Sequence, residues 1–191
     1  MTKGRLEAFS DGVFAIAITI MVLELKVPHG KSTLADLKPL LPIFFSYVLS
    51  YVYLGVYWSN HHNMMFVAKK VNGKIIWDNL NLLFWFSLVP FATAWMGQNY
   101  LQPTPTALYG VVLMMAAISY YLLQSCILCS EGEDSMLLKA IGKDLKGKLS
   151  VGSYIAATAI AYYVPWVSFA IYVLVAMIWF IPDKRIERDL S

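Results

Sequence analysis

Residues 5–25 read RLEAFSDGVFAIAITIMVLEL. Arg5, Glu7 and Asp11 crowd the beginning, and between Val13 and Leu23 the only polar side chain is Thr19. A hydrocarbon core needs roughly 20 predominantly apolar residues from a helix that crosses it. With its polar start included, this run is that long. A basic start followed by an apolar run also describes a secretory signal. However, Asp11 interrupts the run early, Glu24 and Lys26 follow it, and no small-x-small cleavage site is evident. The stretch reads as a retained transmembrane helix.

The rest of the chain repeats the pattern. Apolar spans are expected at about 5–25, 40–67, 75–96, 106–129, 149–164 and 166–181. Pro28, Pro39, Pro42, Pro103, Pro105 and Pro182 mark their ends, where the missing N–H costs least. Pro90 falls inside the third span and should kink it. The last two spans are short and separated by Pro165, so they form a tight hairpin. Of 191 residues, 59% are hydrophobic and only 14% charged, more apolar surface than a soluble fold of this length hides. The fold class is all-α, a single polytopic transmembrane domain over residues 1–191 with six helices per subunit.

Charge gives the orientation. Lys3, Arg5, Lys69, Lys70, Lys74, Lys139, Lys143, Lys146, Lys148, Lys184, Arg185 and Arg188 fall on the side of the termini. Lys26, Lys31 and Lys38 fall on the other, a split of twelve to three that makes both termini cytoplasmic. The longest polar connection, from Glu131 to Lys148, reads as a cytoplasmic amphipathic segment. No soluble domain remains to house an enzyme, and the basic residues form no nucleic-acid footprint. Cys126 and Cys129 form a C-x-x-C pair inside an apolar run without a second ligand cluster, and read as two small helix residues. No metal or other cofactor is expected.

Ionisable groups within a membrane are costly and are functional candidates by default. Asp11, then His61 and His62 in WSNHHN, then Asp78 beside Trp77 all lie at the cytoplasmic third, where a polar network joining three helices is expected. Glu24 stands at the outer end of the first span. At about 100° per residue, Phe9, Gly12, Ile16, Thr19, Ile20 and Leu23 share one stripe, from which Ser10 and Asp11 point away.

Arg5-x-x-x-Phe9-Ser10-Asp11 at the mouth of the first of six spans, with a histidine after a tryptophan in the second, resembles the prokaryotic relatives of transmembrane protein 175. The resemblance implies a homotetramer in the prokaryotic plasma membrane, its central pore lined by the first helix and conducting potassium ions. Carried over from the Phe-Ser-Asp string, the pore constriction falls on Ile16 and Leu23 with the Thr19 hydroxyl between them; Ile20 and Gly12 also line the pore. Arg5, Phe9, Ser10 and Asp11, supported by His61, His62, Trp77 and Asp78, then form a structural lock, with Asp11 satisfied by Arg5 or a histidine. Glu24 attracts cations at the outer mouth.

No Thr-Val-Gly-Tyr-Gly loop occurs, so selectivity by rings of backbone carbonyls is not available. An apolar constriction remains, which a weakly hydrated monovalent cation crosses more easily than a tightly hydrated one. The alternative is a proton-coupled or proton-conducting transporter that uses Asp11 and the histidines as a relay. The chain shows no inverted repeat with paired broken helices, as many transporters do. Catalysis by Ser10 and Asp11 lacks a nucleophile with its own base and an oxyanion site.

Overall fold

The computed structural model describes residues 2–30, 32–131 and 145–180. These form seven α-helices: α1 Lys3–Val22, α2 Leu41–Val67, α3 Gly73–Ser87, α4 Val89–Gln98, α5 Pro103–Glu131, α6 Leu145–Ile160 and α7 Pro165–Phe180. A 3₁₀ turn, Leu34–Leu40, leads into α2. The described residues contain no strand. Residues 132–144, most of the connection read as amphipathic, and 181–191 lie outside the described residues, as do Lys139, Lys143, Lys184, Arg185 and Arg188.

The third span is two consecutive helices, α3 and α4. Pro90 has no N–H to give to the carbonyl of Phe86, so the ladder breaks at Leu88 and α4 restarts with proline in its first turn. Counted as one, Gly73–Gln98 is long and apolar enough to cross a membrane, as are Leu34–Val67 and Pro103–Ser130. Helix α1 has 20 residues, about 30 Å at 1.5 Å per residue. Helices α6 and α7 have 16 each, about 24 Å. Six rods of these lengths make a polytopic bundle. Its large apolar side chains are widely exposed, among them Phe66, Phe91, Leu174 and Met177. Patches of that size suit lipid or partner subunits and not water.

Pro165 opens α7 as its first residue; it does not form the turn as expected. The turn is made by Ala161–Val164, where the N–H groups of Tyr163 and Val164 both donate to the carbonyl of Ile160. Proline is favoured at a first helical position because its missing N–H would be unpaired there anyway.

Lipid is as apolar as leucine, so membrane helices associate through close packing and interhelical hydrogen bonds. Both are present. Ser50 of α2 bonds Thr93 of α4 at 2.7 Å and Tyr109 of α5 at 2.9 Å. Tyr172 of α7 donates to the carbonyl of Thr106 at 3.1 Å. Gly97 lets α4 approach α2, since a Cβ there would lie 2.9 Å from the Cα of Ile43. Gly110 is tighter still: a Cβ would collide with the Tyr172 hydroxyl and with Thr158 Oγ1. Gly110→Ala is therefore expected to push Tyr172 off Thr106 and to cost about 1–3 kcal/mol. Thermal unfolding in detergent checks this; an unchanged midpoint would show that Tyr172 yields freely.

Candidate pore helix and its anchor

Helix α1 packs against α2, α3 and α4. Its inner face carries Leu6, Ser10, Phe14, Ala17 and Met21, all buried, at spacings of four, four, three and four. That spacing keeps them on one side of the helix. The opposite face is uncovered. Phe9, Ile16, Ile20 and Leu23 are 52%, 59%, 47% and 71% exposed, and Gly12 and Thr19 lie among them. A Cβ at Gly12 would meet nothing within 4 Å. The Thr19 hydroxyl donates back to the carbonyls of Ala15 and Ile16, both at 3.0 Å. Its proton is thus occupied and its oxygen lone pairs remain as acceptors on the open face.

The helix stops earlier than the apolar run. Leu23 is the C-cap, its N–H bonded to the carbonyl of Ile20, where the span was expected to reach Leu25. Ile16 sits mid-helix and Leu23 on its last turn. Just beyond, Glu24 is half-buried and accepts a 2.8 Å bond from Gln98 Nε2 at the end of α4. This fixes the carboxylate at that end of the bundle.

At the other end α1 is tied to two helices. The Ser10 hydroxyl donates to the carbonyl of Leu6 at 2.8 Å and accepts from Asn79 Nδ2 at 3.0 Å. Asn79 Oδ1 meets His61 Nε2 at 2.7 Å. Because the amide nitrogen faces Ser10, the amide oxygen must accept from His61, which therefore carries a proton on Nε2. All three side chains are buried, Ser10 and Asn79 completely. The His61 ring also packs on Phe14, with centroids 5.8 Å apart. A buried amide or imidazole without a partner costs about 1–3 kcal/mol, so this network fixes the rotation of α1 against α2 and α3.

The network departs from the expected one. Asp11 pairs with neither histidine nor with Arg5. It is exposed and accepts from Trp58 Nε1 at 2.8 Å. His61 takes Asn79 instead, and His62 is exposed with its ring 6.2 Å from that of Trp58. Asp78 is half-buried, and Trp77, 73% exposed, lies on the outside of α3. Arg5 is also exposed. Asn79 takes the place expected for Asp78 because one position along a helix turns the side chain by about 100°. Asn79 shares the inward face of α3 with Ile75, Leu82 and Phe86. That apolar periodicity around Asn79 was the available signal.

Among the described residues, no group of three or more His, Cys, Asp or Glu is placed to hold a metal ion. Cys126 is buried and Cys129 exposed, both free.

Asp11→Ala removes the acceptor of Trp58 on the subunit surface and leaves the pore stripe intact. The stability of the purified protein is expected to fall by about 0.5–1.5 kcal/mol, with cation preference unchanged. Thermal unfolding in detergent and flux on the same preparation check this; unchanged stability with lost preference would place Asp11 in contact with ions.

An apolar helical bundle with an uncovered stripe on one helix and polar groups spent on anchoring that helix defines a class, the polytopic α-helical membrane proteins. The family described as endosomal/lysosomal potassium channel TMEM175 matches residues 5–90, which span α1 to the start of α4. A potassium channel of Chryseobacterium sp. strain P1-3 is 53% identical over 191 residues, covering 100% of this chain and 99% of that protein. A potassium channel of Chamaesiphon minutus is 31% identical over 188 residues, covering 91% of each. The crystal structure of a lysosomal potassium-selective channel TMEM175 homolog from Chamaesiphon minutus matches with a TM-score of 0.80 at 29% identity, over 95% of this chain and 97% of that one. The chain belongs to the TMEM175 family.

Proposed function

We propose that this chain is the subunit of a potassium-selective cation channel, in which α1 helices from four copies surround a central pore. The uncovered stripe of α1 carries this reading. The helix is packed on its inner face and presents Phe9, Gly12, Ile16, Thr19, Ile20 and Leu23 outward. A closed pore built from such a helix needs symmetric copies. The relatives named as potassium channels support the choice of ion.

Four Ile16 and four Leu23 side chains make two apolar rings about 10 Å apart along the axis. Narrow apolar rings repel water, so an ion crosses them partly dehydrated. Potassium holds its water less tightly than sodium and crosses at lower cost. Thr19 oxygens between the rings return part of the lost hydration. Four Glu24 carboxylates at the outer mouth raise the local cation concentration. Both termini lie in the cytoplasm of a prokaryotic cell, the side that holds most of the Lys and Arg. No catalysis and no cofactor enter; potassium is the permeant species.

Potassium and sodium flux from purified protein in liposomes tests the reading, with cross-linking to count subunits. Passive potassium flux exceeding sodium flux from a tetramer is expected. A monomer, or flux tied in fixed ratio to protons, would overturn it in favour of a transporter.

A further inference from the structure

Away from α1, helices α2, α5, α6 and α7 enclose a cavity of about 380 Å³. Small-ligand sites span roughly 300–1,000 Å³. Its wall is largely aromatic, with Tyr53, Tyr57, Tyr121, Tyr154 and Trp179. Polar groups on the wall are engaged locally. Trp179 Nε1 donates to Ser150 Oγ at 2.7 Å, and Ser150 Oγ donates to the carbonyl of Lys146 at 2.8 Å. Tyr120 OH donates to the carbonyl of Asn60 at 3.2 Å. The interior thus offers mainly apolar contact.

The mouth differs. Lys148, in the first turn of α6, is exposed and lines the opening, and among the described residues no Asp or Glu lines the cavity with it. In the orientation proposed above, this end of the bundle faces the cytoplasm at headgroup depth. Basic pockets between helices on that side hold anionic lipid headgroups.

We propose that this cavity holds an acyl chain of an anionic phospholipid from the surrounding bilayer, with its phosphate on Lys148. The proposal rests on the channel reading for its orientation in the membrane. The occupant has mechanical access to the pore helix. The ring of Tyr57, on the cavity wall, packs on Phe86 with centroids 4.9 Å apart, and Phe86 packs on Phe14 of α1 at 4.8 Å. A chain pressed against Tyr57 therefore acts through two rings on the buried face of α1, and occupancy shifts the fraction of open channels.

The test is lipid retention by the purified full-length assembly, with Lys148→Gln and Val151→Phe as variants; Val151 lines the cavity and is half-buried. The protein is equilibrated with equal phosphatidylcholine and phosphatidylglycerol in detergent, and retained lipids are counted by native mass spectrometry. The wild type should prefer phosphatidylglycerol. Lys148→Gln should lower that preference about fivefold, as one interfacial lysine is worth about 1 kcal/mol. Val151→Phe should abolish retention of either lipid. Potassium flux in phosphatidylcholine vesicles should rise or fall on adding phosphatidylglycerol for the wild type, and much less for either variant. Equal retention of the two lipids by the wild type overturns the proposal. So does wild-type retention by Lys148→Gln, whose exposed position leaves folding intact. Retention does not depend on conduction, so preferential binding without potassium flux would sink the channel reading and leave the lipid site standing.

Discussion

Ile16→Asn is expected to raise cation conductance by about tenfold and to reduce the preference for potassium over sodium. Ile16 is 59% exposed at the middle of α1, opposite the buried Phe14 and Ala17, so its replacement disturbs no packing within the subunit. An amide in the proposed ring holds water where isoleucine expels it. Each ~1.4 kcal/mol removed from a barrier speeds crossing about tenfold. Sodium gains most, because its dehydration set the higher barrier. Leu23→Asn should act in the same direction but less, because Leu23 caps the helix at the outer mouth. The control must be exposed and off the pore. Leu174 on α7, 58% exposed, meets both conditions. Single-channel recording measures both quantities. If Ile16→Asn assembles and conducts with wild-type current and ion preference, another helix lines the pore, and α2 is the next candidate.

Asn79→Leu should have the largest effect on stability. The substitution keeps size and removes both hydrogen bonds, leaving the Nε2 proton of His61 and one acceptor of Ser10 unpaired at 1% and 0% exposure. A buried group left without a partner costs about 1–3 kcal/mol, while single interhelical bonds in membranes average ~0.6 kcal/mol. Two orphaned groups place the expected loss near 2 kcal/mol, about a thirtyfold shift in the folded population. Thermal stability in detergent should fall clearly. Channels that still assemble should keep their ion preference, because the open face of α1 is untouched. An unchanged melting profile would mean that the three side chains do not anchor α1.

Both effects trace to a division of labour along one helix, and its two halves were not equally legible. The stripe Phe9, Gly12, Ile16, Thr19, Ile20, Leu23 follows from helical periodicity, which depends on nothing outside the helix. The break at Leu88 follows from Pro90 for the same local reason. The partners of Ser10, Asp11 and His61 were read less well. A residue's neighbours on other helices depend on the rotation and axial register of each helix, and packing sets those.

The amino-acid sequence by itself determined an all-helical membrane bundle, the number and order of its spans, and the face of α1 that the subunit leaves uncovered. Hydropathy and periodicity carry that information locally, since the bilayer imposes length and polarity on each helix separately. Only the tertiary structure decided that Asn79, and not Asp78, bridges Ser10 and His61, and that Trp58 satisfies Asp11. It also decided that Gly110 is the seat of Tyr172, and that four helices leave an aromatic cavity beneath Lys148. The physical reason is common to all of these. Each needs two or more helices placed to within a fraction of a turn, and that placement emerges from the summed packing of side chains distant in sequence.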